Sequence, residues 1–185
     1  ENGQRYGVFR EGEPYIVVDE NGKKQNLGLE LTQVASGVAI TSENEITTLE
    51  LTDSYTGEVR RGDRVMLEQD AMLPTLFYPT DANQVRDGGK IVRVMGPIGT
   101  AARNGVVTVD RGTSDGVEIG QVFSAYQAGE TVKDPKTKEM VKLPGQYVGS
   151  VMIFKSFDRL SYAYVLESEL PIKIGSSIKS PRLDD

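Results

Sequence analysis

The chain has 185 residues, a formal net charge of -6 and a pI near 4.9, with 38% hydrophobic and 26% charged residues. These are the proportions of a globular protein long enough to build a core without staples, and the acidic balance repels nucleic acid and anionic lipid. Cys, His and Trp are absent, which removes thiolate and imidazole metal sites, thiol nucleophiles, disulfides and every Ser–His pair.

The N-terminal stretch ENGQRYG has no charged segment followed by an apolar one, so a mature protein, an excised fragment or a cytoplasmic chain is expected. No apolar run approaches the ~18–20 residues of a membrane span. From there the recurring signal has period two. GVF (7–9) leads into a hairpin whose tip is Asn21-Gly22, within IVVDENGKKQNLG. LGLELT (27–32) and TTLELT (47–52) alternate leucines with polar or small residues, as half-buried strands do. RRGDRVML follows, where Arg60, Arg61 and Arg64 interleave with Glu58 and Asp63.

DAMLPTLFYPTDANQVRDGG (70–89) differs in kind: Pro74 and Pro79 break it and no alternation survives. It reads as a connector, with Leu76, Phe77 and Tyr78 pinned to a neighbouring surface, or as a plain loop crossing the core's edge. Beyond it come IVRVM (91–95), VVTVD (106–110), QVFSAY (121–126), a hairpin tip at Asp134-Pro135, YVGSVMIF (147–154) and YAYVL (162–166). No 12-residue helical stripe occurs. The expected fold is all-β, mostly antiparallel, in two related barrel-like or sandwich-like modules: residues 1–69, a connector at 70–89, and residues 90–185.

The two modules read as an internal duplication. GVF, a hairpin tip, LG, TTLELTDS and RRGDRVML in the first answer to QVF, a tip, VG, SYAYVLES and IKIGSSIK in the second. Gly28 to Gly62 spans 34 positions and Gly149 to Gly175 spans 26, the excess being assigned to a loop insertion in ASGVAITSENEI.

VDRGTSDGVEIG (109–120) is the most patterned stretch. As a calcium loop its register fails: counted from Asp110, position 3 is Gly112, position 5 is Ser114, and the glycine arrives one place late. As a phosphate cradle it lacks the G-x-x-x-x-G-K-[ST] pattern and a following helix. It satisfies turn chemistry instead, with Gly116 and Gly120 at positive φ, Asp115 and Ser114 bonding local backbone, and Val117 and Ile119 pointing into the core. Ser176 and Lys179 in GSSIKS have the S-x-x-K spacing of penicillin-recognising enzymes, but on a strand they face opposite ways. Glu167 and Glu169 read as strand-end surface acids. Tyr147, Phe154, Phe157, Tyr162 and Tyr164 read as core or cross-strand aromatics, with a stacking platform as the other option.

GVVTVDRGTSDGVEIGQVFSAY resembles the RG-x-x-D-G-hydrophobic-x-x-G turn of envelope β-barrel proteins, including the rod-shape-determining protein C family and a flagellar T-ring family. FREGEPY, EVRRGDRVML and VGSVMIFKSFDRLSYAYVLESELPIKIGSSIKSP resemble the C-terminal region of LysM-containing, peptidoglycan-binding bacterial envelope proteins, a likeness spanning nearly the whole chain. The resemblance implies a periplasmic or cell-envelope setting, with a signal peptide and a glycan-contacting LysM module ahead of this region. No LysM-type opening lies within residues 1–185, so contact with peptidoglycan is expected outside them, and no ligand residue is carried over.

The resulting expectation is a non-enzymatic accessory module, a spacer or a docking or oligomerisation surface for envelope proteins or for itself. No cofactor, metal, catalytic set, nucleic acid or membrane span is expected. Asp115, Gly116 and Gly120 are the structural turn, and Arg60, Arg61, Tyr162 and Tyr164 the candidate partner contacts. A carboxylate-dependent cell-wall hydrolase is the alternative, and an OB-like nucleic-acid binder the third reading.

Overall fold

A computed structural model describes residues 3–18, 21–68, 78–82, 85, 87–95 and 99–181. The all-β expectation is met. The described residues form fifteen strands in order: β1 (Arg5–Val18), β2 (Lys24–Glu43), β3 (Ile46–Ser54), β4 (Arg64–Leu67), β5 (Thr80–Asp81), β6 (Asp87–Met95), β7 (Thr100–Ala101), β8 (Val106–Val109), β9 (Gln121–Gln127), β10 (Thr131–Lys133), β11 (Met140–Lys142), β12 (Gln146–Ser156), β13 (Ser161–Ser168), β14 (Ile172–Lys173) and β15 (Ser177–Lys179). The one helical element among the described residues is a single 3-10 turn at Thr113–Asp115.

The chain divides into two compact units, Glu1–Ile16 with Gly28–Thr75, and Val17–Leu27 with Leu76–Asp185. Of the 70–89 connector, Leu76 and Phe77 lie outside the described residues and Tyr78 is exposed. Its later part carries β5, which pairs in parallel with β9, and the start of β6.

Unit 2 contains a closed antiparallel barrel. Its strands run β12-β13-β8-β6-β15-β9, and β9 pairs back onto β12. Closure abolishes the sheet edge, the reason small β proteins adopt it. The alternation seen in sequence becomes an inside and an outside. Ile91, Val107, Val109, Phe123, Val151, Ile153, Val165 and Ile178 are all at most 1% exposed and belong to one core cluster. Along β13 the odd positions Ser161, Ala163 and Val165 are buried while Tyr162 and Tyr164 are intermediate. Two bulges, at Ser150/Val151 and around Phe154, bend β12 against β13.

Unit 1 is a four-stranded antiparallel sheet ordered β3-β2-β1-β4. Its small core cluster is Val8, Val34 and Ala35. The same order recurs in the barrel as β13-β12-β9-β15. The β2–β3 register repeats in β12–β13 at a constant spacing of 114 positions: Ala35↔Ser54 matches Gly149↔Ser168, Ser36↔Asp53 matches Ser150↔Glu167, and Ser42↔Thr47 matches Ser156↔Ser161. Both bulges fall at the same places, Ser36/Gly37 with Ser150/Val151, and Ala39/Thr41 with Ile153/Lys155.

This register differs from the sequence alignment. Ala35, not Gly28, stands where Gly149 stands, and residues 35–46 lie in or beside paired strand rather than in an inserted loop. From Ala35 to Gly62 is 27 positions against 26 from Gly149 to Gly175, so the apparent excess disappears. Gln4, rather than Gly7, takes the place of Gln121, with Gly3 in that of Gly120: the Gly3 N–H donates to Ala39 O at 2.8 Å, as the Gly120 N–H donates to Ile153 O at 2.8 Å.

Candidate functional site

The turn VDRGTSDGVEIG is structural. After β8 the chain enters the 3-10 turn, and Asp115 reaches back so that its Oδ2 accepts the Gly112 N–H at 3.1 Å. Gly116, at φ 83°, closes it, with its N–H donating to Thr113 O at 3.0 Å. The turn is then clamped to the β12–β13 hairpin. Thr113 N–H donates to Phe157 O (2.8 Å), and Ser114 donates from both its N–H (3.0 Å) and its hydroxyl (2.6 Å) to Asp158 O. The Ser114 hydroxyl thus bonds a carbonyl 44 residues away, not the local backbone expected for it. Val117 is fully buried and its carbonyl accepts the Ser156 hydroxyl at 2.9 Å. Ile119, expected in the core beside Val117, is 49% exposed. No strand runs through 117–119, so alternation does not govern it, and Gly120 at φ 94° turns the backbone into β9.

On the outer wall of the barrel the structure brings together Phe154, Phe157 and Tyr162. Phe157 meets Tyr162 edge-on with centroids 5.3 Å apart, and Phe154 lies 6.2 Å from Tyr162, tilted. The Lys155 ammonium sits 5.2 Å from the Phe157 ring centre. They meet at the β12–β13 turn: Tyr162 pairs with Lys155, Phe154 is the residue left unpaired at the bulge before it, and Phe157 follows the end of β12. The remaining aromatics separate from this group. Tyr164 donates its hydroxyl to Asn104 Oδ1 at 2.8 Å, and Tyr147 packs edge-on against Tyr126 at 5.8 Å. Burial, then the nearby Glu167 carboxylate, pushes the Tyr147 phenol up.

In unit 1, Arg60 and Arg61 are exposed on the loop before β4. Arg60 takes part through its backbone, its N–H donating to Asp63 Oδ2 at 2.7 Å. Arg10 holds the same carboxylate with two nitrogens, at 2.8 and 3.0 Å, and the side-chain bonds from Arg10 keep Asp63 below the usual carboxylate range. A second polar group gathers around Glu68. Its Oε1 accepts the Ser36 hydroxyl at 3.0 Å and the Gln33 amide at 3.4 Å, and its Oε2 accepts Arg5 Nε at 3.0 Å. Ser36 also bonds Tyr55 at 3.2 Å. Ser36 first, then Arg5, hold the Glu68 carboxyl low. This group is the polar constellation that motif reading missed. Its members come from β1, β2, β4's C-terminal flank and the loop after β3, at no spacing a motif would mark.

Chemically, Glu68 and Asp63 are held as carboxylates by donors, the direction opposite to that of a raised general acid. Asp134 is likewise lowered, by the Thr137 and Lys136 N–H groups its Oδ1 accepts at the β10–β11 tip. Ser176 is 2% exposed while Lys179 is exposed and lies 5.9 Å from the Tyr126 ring centre, so the S-x-x-K pair does not meet. Among the described residues no group of three or more acidic side chains could hold a metal ion, and no helix is long and apolar enough to cross a membrane. No family model matches the chain, and no curated protein matches it.

Proposed function

We propose that this chain is a non-enzymatic docking and spacer module of a peptidoglycan-associated protein of the bacterial envelope, working in the periplasm. The observation that carries the docking role is the outward group of Phe154, Phe157 and Tyr162 with Lys155 over the Phe157 ring. Rigid aromatics with a polar rim offer large contact area at low entropic cost, the chemistry of protein-binding hot spots. The envelope setting rests on the resemblance of the RGTSDGVEIG turn and of the C-terminal segment to LysM-containing proteins. In this reading peptidoglycan is held by a LysM module outside residues 1–185, and the barrel meets an envelope protein. The non-enzymatic reading is supported by carboxylates that are tied up as ion pairs and turn acceptors rather than raised for acid–base work.

The test places a photo-crosslinking residue at Phe157 and, separately, at the exposed Glu43, in bacteria that make the protein. A discrete adduct with one envelope protein from position 157 and none from position 43 is expected. Absence of any adduct from 157 overturns the docking role. Separately, purified cell-wall sacculi mixed with the chain should keep their turbidity, and clearing that vanishes in Glu68→Gln would establish a hydrolase instead.

A further inference from the structure

Unit 1 carries the four-strand arrangement of the barrel without the two strands that close it. In unit 2, β8 and β6 bridge from β13 to β15. The strands that occupy the corresponding places in unit 1 are β3 and β4, and both are sheet edges among the described residues. The correspondence holds outside the ladders as well. Tyr55 N–H donates to Val34 O at 2.8 Å where Glu169 N–H donates to Val148 O at 2.9 Å, and Asp63 N–H to Arg60 O at 3.1 Å where Ser176 N–H donates to Lys173 O at 3.1 Å.

Exposure differs at matched positions in the way a missing bridge requires. Val165 is fully buried and Leu51, its counterpart, is 51% exposed. Ile178 is fully buried, and Val65, which takes the same place in β4, is 51% exposed. Every position of β4 is exposed, and in β3 only Leu49 is not. Natural sheets blunt such edges with Pro, inward charges or very short strands, because an open ladder templates further pairing. β3 reads ITTLELTDS: at nine residues it is not short and has no Pro, and its blunting is limited to Glu50, Asp53 and the bulge at Thr52.

We infer that unit 1 is an acceptor for a β-hairpin, which inserts between β3 and β4 as β6 and β8 insert between β15 and β13, and that the stretch of polypeptide ahead of Glu1 supplies it. Chain order names the source: β6 and β8 precede β9, so their counterparts precede β1. The matched register also states the chemistry of the hairpin. One strand carries β-branched residues inward against Leu49 and Leu51, as Val107 lies opposite Ala163. The other carries a small residue facing Tyr6 and Val65. The barrel has Gly88 there, where a Cβ would come within 2.8 Å of both Phe123 and Ile178. The inference goes beyond the docking role of the barrel's aromatic wall and stands without it.

The experiment uses hydrogen exchange read by mass spectrometry on segments 46–54 and 64–67. Three proteins are compared: the 185-residue chain, the same chain with residues 87–119 grafted ahead of Gly3 in place of Glu1 and Asn2, and the graft with Ile91→Lys and Val107→Lys in its added copy. The graft should slow exchange of both segments at least about tenfold, while the lysine graft and the parent exchange fast. Unchanged exchange in a graft whose barrel segments stay protected overturns the inference. So does slow exchange of both segments in the 185-residue chain itself, whether monomeric or paired with a second copy. The polypeptide with its own residues ahead of Glu1 should match the graft, and fast exchange of 46–54 and 64–67 in that protein removes the proposed source.

Discussion

Two glycines of the RGTSDGVEIG turn have different physical jobs, and replacing each by alanine separates them. Gly116 sits at φ 83°, in the left-handed region, and a Cβ there meets nothing closer than Val85 Cγ2 at 3.5 Å. Space is available, so Gly116→Ala pays the left-handed cost of an L-residue, about 1–2 kcal/mol, less about 0.4–1 kcal/mol returned by a stiffer unfolded chain. Gly112 is the reverse case. Its backbone is extended, φ -141° and ψ -159°, which any residue adopts, but a Cβ would lie 2.5 Å from Asp158 O and closer still to Phe157 O. Those are backbone atoms and cannot swing aside. The turn must lift off the hairpin, loosening the Thr113–Phe157 and Ser114–Asp158 bonds. Two hydrogen bonds at about 0.5–1.5 kcal/mol each and overpacking of about 1–3 kcal/mol put Gly112→Ala at roughly 2–6 kcal/mol.

For a chain of this size each kcal/mol moves the midpoint by about 2–4 °C, so Gly112→Ala should melt roughly 4–24 °C below the parent and Gly116→Ala only a few degrees below. Thermal unfolding followed by tyrosine near-ultraviolet circular dichroism measures both. A Gly116→Ala loss larger than that of Gly112→Ala would refute the reasoning, because it would mean that conformation rather than close approach fixes this turn. An unchanged Gly112→Ala midpoint would show that the turn does not sit against the hairpin.

Asp115→Asn should shift the midpoint by little, since the amide oxygen still accepts the Gly112 N–H, and calcium should not raise the parent's melting temperature; a calcium-dependent rise lost in Asp115→Asn would make the turn a metal site. Phe123→Ala, which empties a fully buried position of the barrel, should cost about 3–5 kcal/mol in denaturant unfolding, and a loss below 1 would place Phe123 outside the core. Glu68 is held low by Ser36 and Arg5, so its contribution is present above the unfolded glutamate value and is lost as pH falls through the lower folded value. The protection of unit 1 amides, measured against the intrinsic exchange rate at each pH, should therefore fall at acid pH in the parent and show less of that acid dependence in Glu68→Gln; an identical pH profile of protection in the two proteins would detach Glu68 from the stability of unit 1.

Much of this fold was legible because its strands are half-buried and alternate. TTLELT, YAYVL and QVFSAY each announce an inside and an outside, and β3, β13 and β9 form over them. What alternation cannot convey is which strand neighbours which. β15 has three residues, and its single buried side chain, Ile178, carries no periodicity at all, yet that strand pairs with both β6 and β9 and so closes the barrel. Glycine spacing misled for a related reason. Gly28 and Gly149 look alike in sequence, but Gly149 is special because Glu167 O leaves no room for a Cβ at a bulge, while the matching bulge in unit 1 admits Ala35.

The polar group around Glu68 was hidden by the same distance in sequence. Gln33 and Ser36 lie on β2, Arg5 on β1, Tyr55 beyond β3 and Glu68 beyond β4, so the four-strand order is what assembles them. In the barrel the place of Ser36 is taken by Ser150, and that of Tyr55 by Glu169. The scaffold position is kept while its chemistry changes from a bonded serine–tyrosine pair to a strand-end acid. Register, then, is the property the two units share, and exposure is the property in which they differ. A sheet that keeps the register of a closed barrel but leaves Leu51 and Val65 in solvent has the geometry of an acceptor, because the edges and apolar positions that β6 and β8 cover in one unit are, among the described residues, without a neighbouring strand in the other.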